Sequence, residues 1–342
     1  MANDSSVTNP RVGFSLGEPG GIGPQLLLSF LGNEAWQESF IPIVFGPRRA
    51  IEKWRAYLNL RTLRYHAIQH PTEARPQQIN LIECGELGDF TIGKPSEAGG
   101  KAARLAFKAS VAEAAAGHLD LLVTLPVDKS TFYDPTHFPY RGHTEYLRAA
   151  FPEHFLLMVM VEERLRVALL TEHLPLRQVA ETLTQDLLRR GLATLHQALR
   201  QDFALPAPRI AVLGLNPHAG DGGIIGQEEI HLLPVLHEAW EKGILVSGFF
   251  SSDGFFAAGK YRNVEAVLAL YHDQGLIPFK LLAGWEGFQY TAGLPFVRTA
   301  PDHGVAYDKA GKEEVDLSSL SAAVWEGLGI WRRRQAAQLS AT

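Results

Sequence analysis

Apolar, strand-like runs alternate with helix-like segments along most of this chain, and that alternation constrains its fold more than any other feature. Arg11–Leu16 is strand-like and leads through the glycine-rich Gly17–Gly23 into a helix opened by Pro24. Proline suits that first helical position because its missing N–H would have no partner there. Ile41–Phe45 reads as a strand followed by a helix from about Arg48 to Leu58. The alanine-rich Lys101–Ala116 reads as a helix and Leu121–Thr124 as a buried strand. Phe155–Val161 and Arg166–Leu170, joined by the charged turn Glu162-Glu163-Arg164, read as an antiparallel pair. Leu187–Gln201 and Gln227–Lys242 read as helices, Arg209–Leu215 and Val267–Leu270 as strands, and Leu317–Arg333 as a closing helix. Strands alternating with helices predict a mostly parallel sheet covered on both faces. A length of 342 residues suits two domains, and the absence of a repeat or low-complexity linker favours interleaved domains over two beads on a string.

Composition narrows the function classes. Hydrophobic residues make up 46% and charged residues 20%, the profile of a soluble globular protein. The net charge of −5 implies no large basic surface for nucleic acid. The single Cys84 rules out an internal disulfide framework and a cysteine-based zinc knot. Met1–Pro10 lacks the apolar core of a signal peptide, and no stretch approaches the roughly 20 apolar residues of a membrane span. The expectation is a cytoplasmic protein without a membrane partner.

Three histidines follow apolar runs that read as buried strands. They are His173 in Thr171–Leu176, His218 in Asn216–Asp221 and His272 in Tyr271–Leu276, each in a loop-like hexad. Open α/β sheets bind ligands at the carboxyl edge. Three imidazoles converging there would make an open metal site with room for a substrate oxygen. Glu172 and Asp273, each adjacent to one of these histidines, could orient the rings from behind. Taken singly, a loop histidine is more often a polar surface residue.

Other residues have both a chemical and a bland reading. Gly17–Gly23 sits between strand and helix, where backbone N–H groups could hold an anion, but it is not G-x-G-x-x-G and a tight turn would serve equally. Asn216–Gly226 holds four glycines in eleven residues, which marks a backbone that turns tightly or lets a ligand approach. Lys280 and Arg298 lie near glycine- and proline-rich turns and could clamp a phosphate or carboxylate, or be solvated charges. His143, Thr144 and Glu145 could simply begin a helix.

The blocks Gly17–Gly23, Thr124–Lys129, Gly142–Leu147, Thr171–Leu176, Leu215–Gly226, Tyr271–Lys280, Gly293–Arg298 and Asp302–Gly311, in that order, resemble the 4-hydroxythreonine-4-phosphate dehydrogenase family of vitamin B6 biosynthesis. The resemblance implies an isocitrate/isopropylmalate-dehydrogenase-like α/β fold, with two α/β domains flanking an active-site cleft. Residues 1–135 and 270–342 would form the first domain, and 136–269 the second, which would carry dimer contacts. It implies a homodimer with a shared active site. A divalent metal would sit on His173, His218 and His272, one of them supplied by the partner subunit. Zinc is preferred for imidazole ligands, with magnesium, manganese or cobalt as alternatives. The resemblance implies that His143, Thr144, Lys280 and Arg298 contact a small phosphorylated hydroxy-acid substrate. Asp302–Ala306 resembles the adenine-side loop of the isopropylmalate enzymes, which makes His303 and Gly304, with Asn216 and Gly222, the candidates for holding NAD or NADP.

The implied activity is oxidation and decarboxylation of 4-phosphooxy-L-threonine to 3-amino-2-oxopropyl phosphate. Asp253 and Asp273 are candidates for the base, with an ordered water as the alternative. The chain departs from the family pattern at Gln289, where a substrate-binding Asn is usual, and at Glu18, Asp128 and Gly254. These changes keep open a related dehydrogenase acting on 4-phosphothreonate or 4-phosphoerythronate, and, in another class, a non-catalytic ligand-binding relative.

Overall fold

The uninterrupted apolar runs are strands buried on both faces, as the covered sheet of an α/β protein requires. The computed structural model describes residues 9–312 and 314–339. Its strands are β1 (Arg11–Ser15), β2 (Ile41–Gly46), β3 (Tyr65–Ile68), β4 (Ile79–Glu83), β5 (Leu121–Thr124), β6 (Leu157–Glu162), β7 (Leu165–Leu169), β8 (Arg209–Leu213), β9 (Leu245–Phe250), β10 (Ala266–Ala269), β11 (Phe288–Ala292) and β12 (Val297–Pro301). Its helices are α1 (Gly23–Gly32), α2 (Arg48–Tyr57), α3 (Glu97–Ala115), α4 (Lys129–Phe132), α5 (His143–Ala150), α6 (Leu176–Thr182), α7 (Gln185–Gln201), α8 (Glu228–Glu241), α9 (Ser252–Ala257), α10 (His272–Ala283) and α11 (Ser318–Leu339).

The chain forms two compact units, each assembled from separated stretches of sequence. One comprises the chain up to Phe151 together with Pro295–Leu328; the other comprises Pro152–Leu294 and the chain from Gly329 on. In the first unit the strand order is β3-β4-β2-β1-β5-β12, and every neighbouring pair is parallel. In the second it is β11-β6-β7-β10-β8-β9, in which β6 is antiparallel to both β11 and β7 and the remaining pairs are parallel. The charged turn after β6 therefore closes the expected antiparallel hairpin, with Glu162 opposite Leu165.

In the second unit one face of the sheet is built by alternate residues, as the two-residue period of a strand dictates. Met158 and Met160, Leu165, Val167 and Leu169, Ala211 and Leu213, and Val267 and Ala269 form one core cluster with Phe255 of α9 and with Leu276 and Phe279 of α10. Each fully buried side chain of this size contributes about 1.5–3 kcal/mol. Gly275 lets α10 lie close on that face. A Cβ there would meet Leu169 Cδ2 and Val167 Cγ1 at 2.8 Å and Ala269 Cβ at 2.9 Å. This close seat fixes where the first turn of α10, and His272 with it, stands at the sheet edge.

Three readings are corrected here. His272 lies within α10, not in a loop, even though Pro278 stands inside that helix, and Lys280 lies in its last turn, before Gly284. A proline removes only one rung of the hydrogen-bond ladder, and the apolar face of α10 packed on the sheet holds the helix through it. Arg298 lies within β12 and is only 1% exposed, so it is not a solvated charge at a turn. The α3 helix starts at Glu97, earlier than Lys101, because the Ser96 hydroxyl caps it by accepting from the Gly99 N–H at 3.0 Å.

Candidate active site

Strands β7, β10 and β8 are adjacent and parallel, and the three singled-out histidines follow their carboxyl ends in that spatial order: His173, His272, His218. His173 and His272 share a cavity of about 280 Å³ with Thr171, Glu172, Tyr271 and Asp273, and their ring centroids are 5.7 Å apart. Asp273 Oδ1 lies 2.8 Å from His272 Nδ1, and Glu172 Oε2 lies 3.7 Å from His173 Nδ1. At His272 the carboxylate on Nδ1 leaves Nε2 as the ligating nitrogen, which is the arrangement of metal-binding histidines generally. The edge continues through His218 to Asp253 in the first turn of α9, after β9. The Ser251 hydroxyl and the Gly254 N–H hold the Asp253 carboxyl below the usual range, with His218 adding to the effect. Within one chain the three imidazoles do not bring their ligand atoms within 4.8 Å of one another; among the described residues the group that does is His70, Glu113 and His118. The donor types nonetheless fit a transition metal, because neutral imidazoles backed by carboxylates are its usual partners.

Both outer histidines of this edge are held in left-handed backbone conformation, His173 at φ +52° and His218 at φ +53°. The run from His218 to Gly222 is left-handed throughout, at φ +53°, +53°, +77°, +44° and +64°. Each non-glycine residue in that state costs roughly 1–2 kcal/mol, and such strain concentrates at functional sites. Hydrogen bonds offset it. The buried Glu229 accepts from Asn216 N–H at 2.7 Å, and Asn216 Nδ2 donates to Glu228 at 2.8 Å and to Glu229 at 3.0 Å. Asn216 thus ties the loop to the start of α8.

The sequence reading missed Gln274. Its side chain is buried behind the edge, where Oε1 accepts from Leu270 N–H at 2.6 Å and Nε2 donates to the Gly214 carbonyl and to Ser252 Oγ. The Thr171 hydroxyl donates to the Leu270 carbonyl at 2.6 Å. These two side chains join the ends of β7, β10 and β8 and the start of α9. A polar residue two places after His272 was the available signal. Lys280 is exposed on α10, about 12 Å along the axis from His272. Gln289 lies on β11 opposite Met160, and its Nε2 is buried with no hydrogen-bond partner among the described residues.

In the first unit the buried Arg298 donates from Nε to Thr124 Oγ1 at 3.0 Å, and its Nη2 lies 3.3 Å from His143 Nδ1. A guanidinium has only donors, so His143 Nδ1 accepts and the proton of the neutral ring sits on Nε2. Burial, then the Arg298 charge, holds the His143 pKa well below its ordinary 6.5. The ring packs 4.2 Å from Phe107, and its buried Nε2 has no partner among the described residues. His143 does begin α5, as the bland reading expected, with Glu145 accepting from Arg141 N–H at 2.7 Å and Thr144 buried.

The loop with His303 and Gly304 is tied to the glycine-rich loop after β1. Ile22 N–H donates to the Val305 carbonyl at 2.8 Å, and Gln25 accepts from Gly311 N–H at 2.8 Å. His303 Nδ1 lies 3.1 Å from the Gly304 carbonyl, and a Cβ at Gly304 would meet nothing within 4 Å. Glu18 in the first loop is 1% exposed, and burial pushes its carboxyl up to about 7, with the Asp128 charge adding to the rise.

Two α/β units with this strand arrangement form an isocitrate-dehydrogenase-like fold. Isocitrate dehydrogenase from Methylococcus capsulatus shares the fold at TM-score 0.51 and 13% identity, over 96% of this chain and 88% of that one. The chain belongs to the family described as "Pyridoxal phosphate biosynthetic protein PdxA", whose model matches residues 38–326. A 4-hydroxythreonine-4-phosphate dehydrogenase from Bacteroides thetaiotaomicron is 38% identical over 95% of this chain and 90% of its own length. The crystal structure of 4-hydroxythreonine-4-phosphate dehydrogenase from Klebsiella pneumoniae is similar at TM-score 0.79 and 32% identity, covering 96% of this chain and 99% of that one.

Proposed function

We propose that this chain is an NAD(P)- and divalent-metal-dependent dehydrogenase that oxidises and decarboxylates 4-phosphooxy-L-threonine to 3-amino-2-oxopropyl phosphate in vitamin B6 biosynthesis. Membership of the family supports the reaction. The observation that carries the site is the row of His173, His272 and His218 at the ends of three adjacent parallel strands. Bound there, a zinc-class cation would supply Lewis acidity to lower a substrate hydroxyl's pKa, and a nicotinamide held near His303, Gly304, Asn216 and Gly222 would accept the hydride.

The chain's own residues have separable tasks. Lys280 and Arg298 hold the phosphate, Arg298 with a fork whose orientation Thr124 and His143 fix. His143 stays neutral and offers Nε2–H to a substrate oxygen, while Thr144 and Gln289 complete the substrate contacts. Asp253 or Asp273, or a water that one of them orders, takes the hydroxyl proton. The low pKa of Asp253 keeps it ionised, which a base requires, at some loss of basicity.

The protein acts as a homodimer with a shared site, one metal ligand coming from the partner. Exposed Ile277, Leu281, Leu282 and Trp285 around α10, with Ile230 and Trp240 of α8, support an apolar interface. No helix among the described residues is long and apolar enough to cross a membrane. The buried, unpartnered Nε2 of Gln289 favours one second reading, a substrate such as 4-phosphothreonate or 4-phosphoerythronate that presents an acceptor there. NADH or NADPH formation from each of the three compounds, with and without chelator, tests the assignment. Turnover on none of them would overturn it, and preference for a phospho-sugar acid would select the second reading.

A further inference from the structure

We propose that His70, Glu113 and His118, in the first unit, form a second binding site for a zinc-class divalent cation, distinct from the histidine row and outside the reaction. Their ligand atoms all lie within 4.8 Å of one another. Glu113 Oε2 is 2.7 Å from His118 Nδ1 and 3.5 Å from His70 Nε2, and the two imidazole centroids are 4.4 Å apart. Ligands of one tetrahedral zinc ion stand about 3.3 Å apart, because each Zn–N bond is about 2.0–2.1 Å. The cluster therefore already has the size of a coordination sphere, and small side-chain rotations would open it around an ion.

Two independent features of the fold build it. The first is the end of α3, where His118 N–H donates to the Glu113 carbonyl at 3.0 Å and Gly117 N–H to the Ala114 carbonyl at 3.1 Å. With Gly117 at φ +77°, this is a Schellman turn, and it returns His118 to Glu113. The second is the connection between β3 and β4, where His70 Nδ1 lies 2.8 Å from the Thr72 hydroxyl. Nδ1 also accepts from the Thr72 N–H at 3.3 Å; binding a cation through Nε2 would move the ring proton to Nδ1, where the Thr72 hydroxyl can accept it. A partner on the distal nitrogen is how proteins set the tautomer of a metal-binding imidazole.

The charge balance also favours a cation. A single carboxylate serves two imidazoles beside a helix C-terminus, whose partial negative charge attracts positive charge. Imidazole and carboxylate donors select zinc and its neighbours over magnesium or calcium. Side-chain exposures of 37%, 26% and 37% leave room for water to complete the sphere. The ion would staple the β3–β4 connection to the end of α3.

Zinc content of the full-length chain, measured after equilibrium dialysis, tests this without reference to turnover. His70→Gln with His118→Gln should lower bound zinc by about one equivalent per chain, remove part of the zinc-induced rise in Tm, and leave dehydrogenase activity unchanged. In a His173→Ala, His218→Ala, His272→Ala background, about one equivalent should remain and should then vanish with the same two changes. Glu113→Gln, which preserves the turn, should weaken zinc binding about tenfold or more. Zinc content unaffected by the His70 and His118 substitutions overturns the proposal, whatever the outcome for the active-site reading.

Discussion

Gln274 Nε2 donates a hydrogen bond to the carbonyl of Gly214, joining the first turn of α10 to the strand end that leads to His218. The same amide accepts from Leu270, so one buried side chain sets the spacing between the His272 and His218 backbones. Gln274→Leu preserves volume but strands a buried donor and a buried acceptor. It should cost about 2–4 kcal/mol in denaturant unfolding. Metal affinity should fall with it, whereas a purely structural role elsewhere in the unit would leave metal affinity unmoved.

His218→Ala should abolish metal-dependent turnover while leaving the far-ultraviolet circular dichroism of the chain unchanged. The residue is an exposed loop side chain, so its removal empties no core. Chelation of the wild-type protein should reproduce the loss, and readded zinc, manganese or cobalt should restore activity. Turnover that persists in metal-free buffer would remove the metal from the mechanism.

Arg298→Lys should lower kcat/KM for a phosphorylated substrate by roughly 10- to 100-fold, since a hydrogen bond to a charged group is worth about 1.5–3 kcal/mol. Lysine keeps the charge but loses the fork that reaches Thr124 and His143 together. An unchanged kcat/KM would place the phosphate elsewhere.

Glu18 gives a pH signature. Its folded-state carboxyl titrates at about 7 against 4.5 when exposed. Between those values the unfolded chain has released a proton that the folded chain still holds, so stability falls as pH rises and the penalty is complete above pH 7. Glu18→Gln should therefore raise stability by roughly 3 kcal/mol near pH 8 and change little near pH 4. Melting curves across that range would show the two proteins diverging upward in pH; parallel curves would refute the burial argument.

The sequence disclosed the histidine row because β7, β8 and β10 are nearly pure apolar runs, and each gives way to a polar segment that has to lie at a sheet edge. It did not disclose β3, β4 or β9. Their sequences YHAI, INLIE and LVSGFF are short and mix polar with apolar residues, so neither period is legible. Gln274 looked like an ordinary helix residue because its importance comes from three strand ends meeting over it. Arg298 looked like a surface charge because its burial depends on Thr124 and His143, which are remote in sequence. The His70–Glu113–His118 cluster was invisible for the same reason: it needs both the end of α3 and the β3–β4 connection in place.

The loop from His218 to Gly222 also carries a chirality requirement. At Gly222 an added Cβ would meet nothing within 4 Å, so contact places no limit on that position and only the sign of φ does. An L-alanine there would be strained, whereas a D-alanine introduced by chemical ligation would be at ease. The mirror-image residue would stiffen the segment presenting His218, separating the value of that segment's shape from the value of its suppleness.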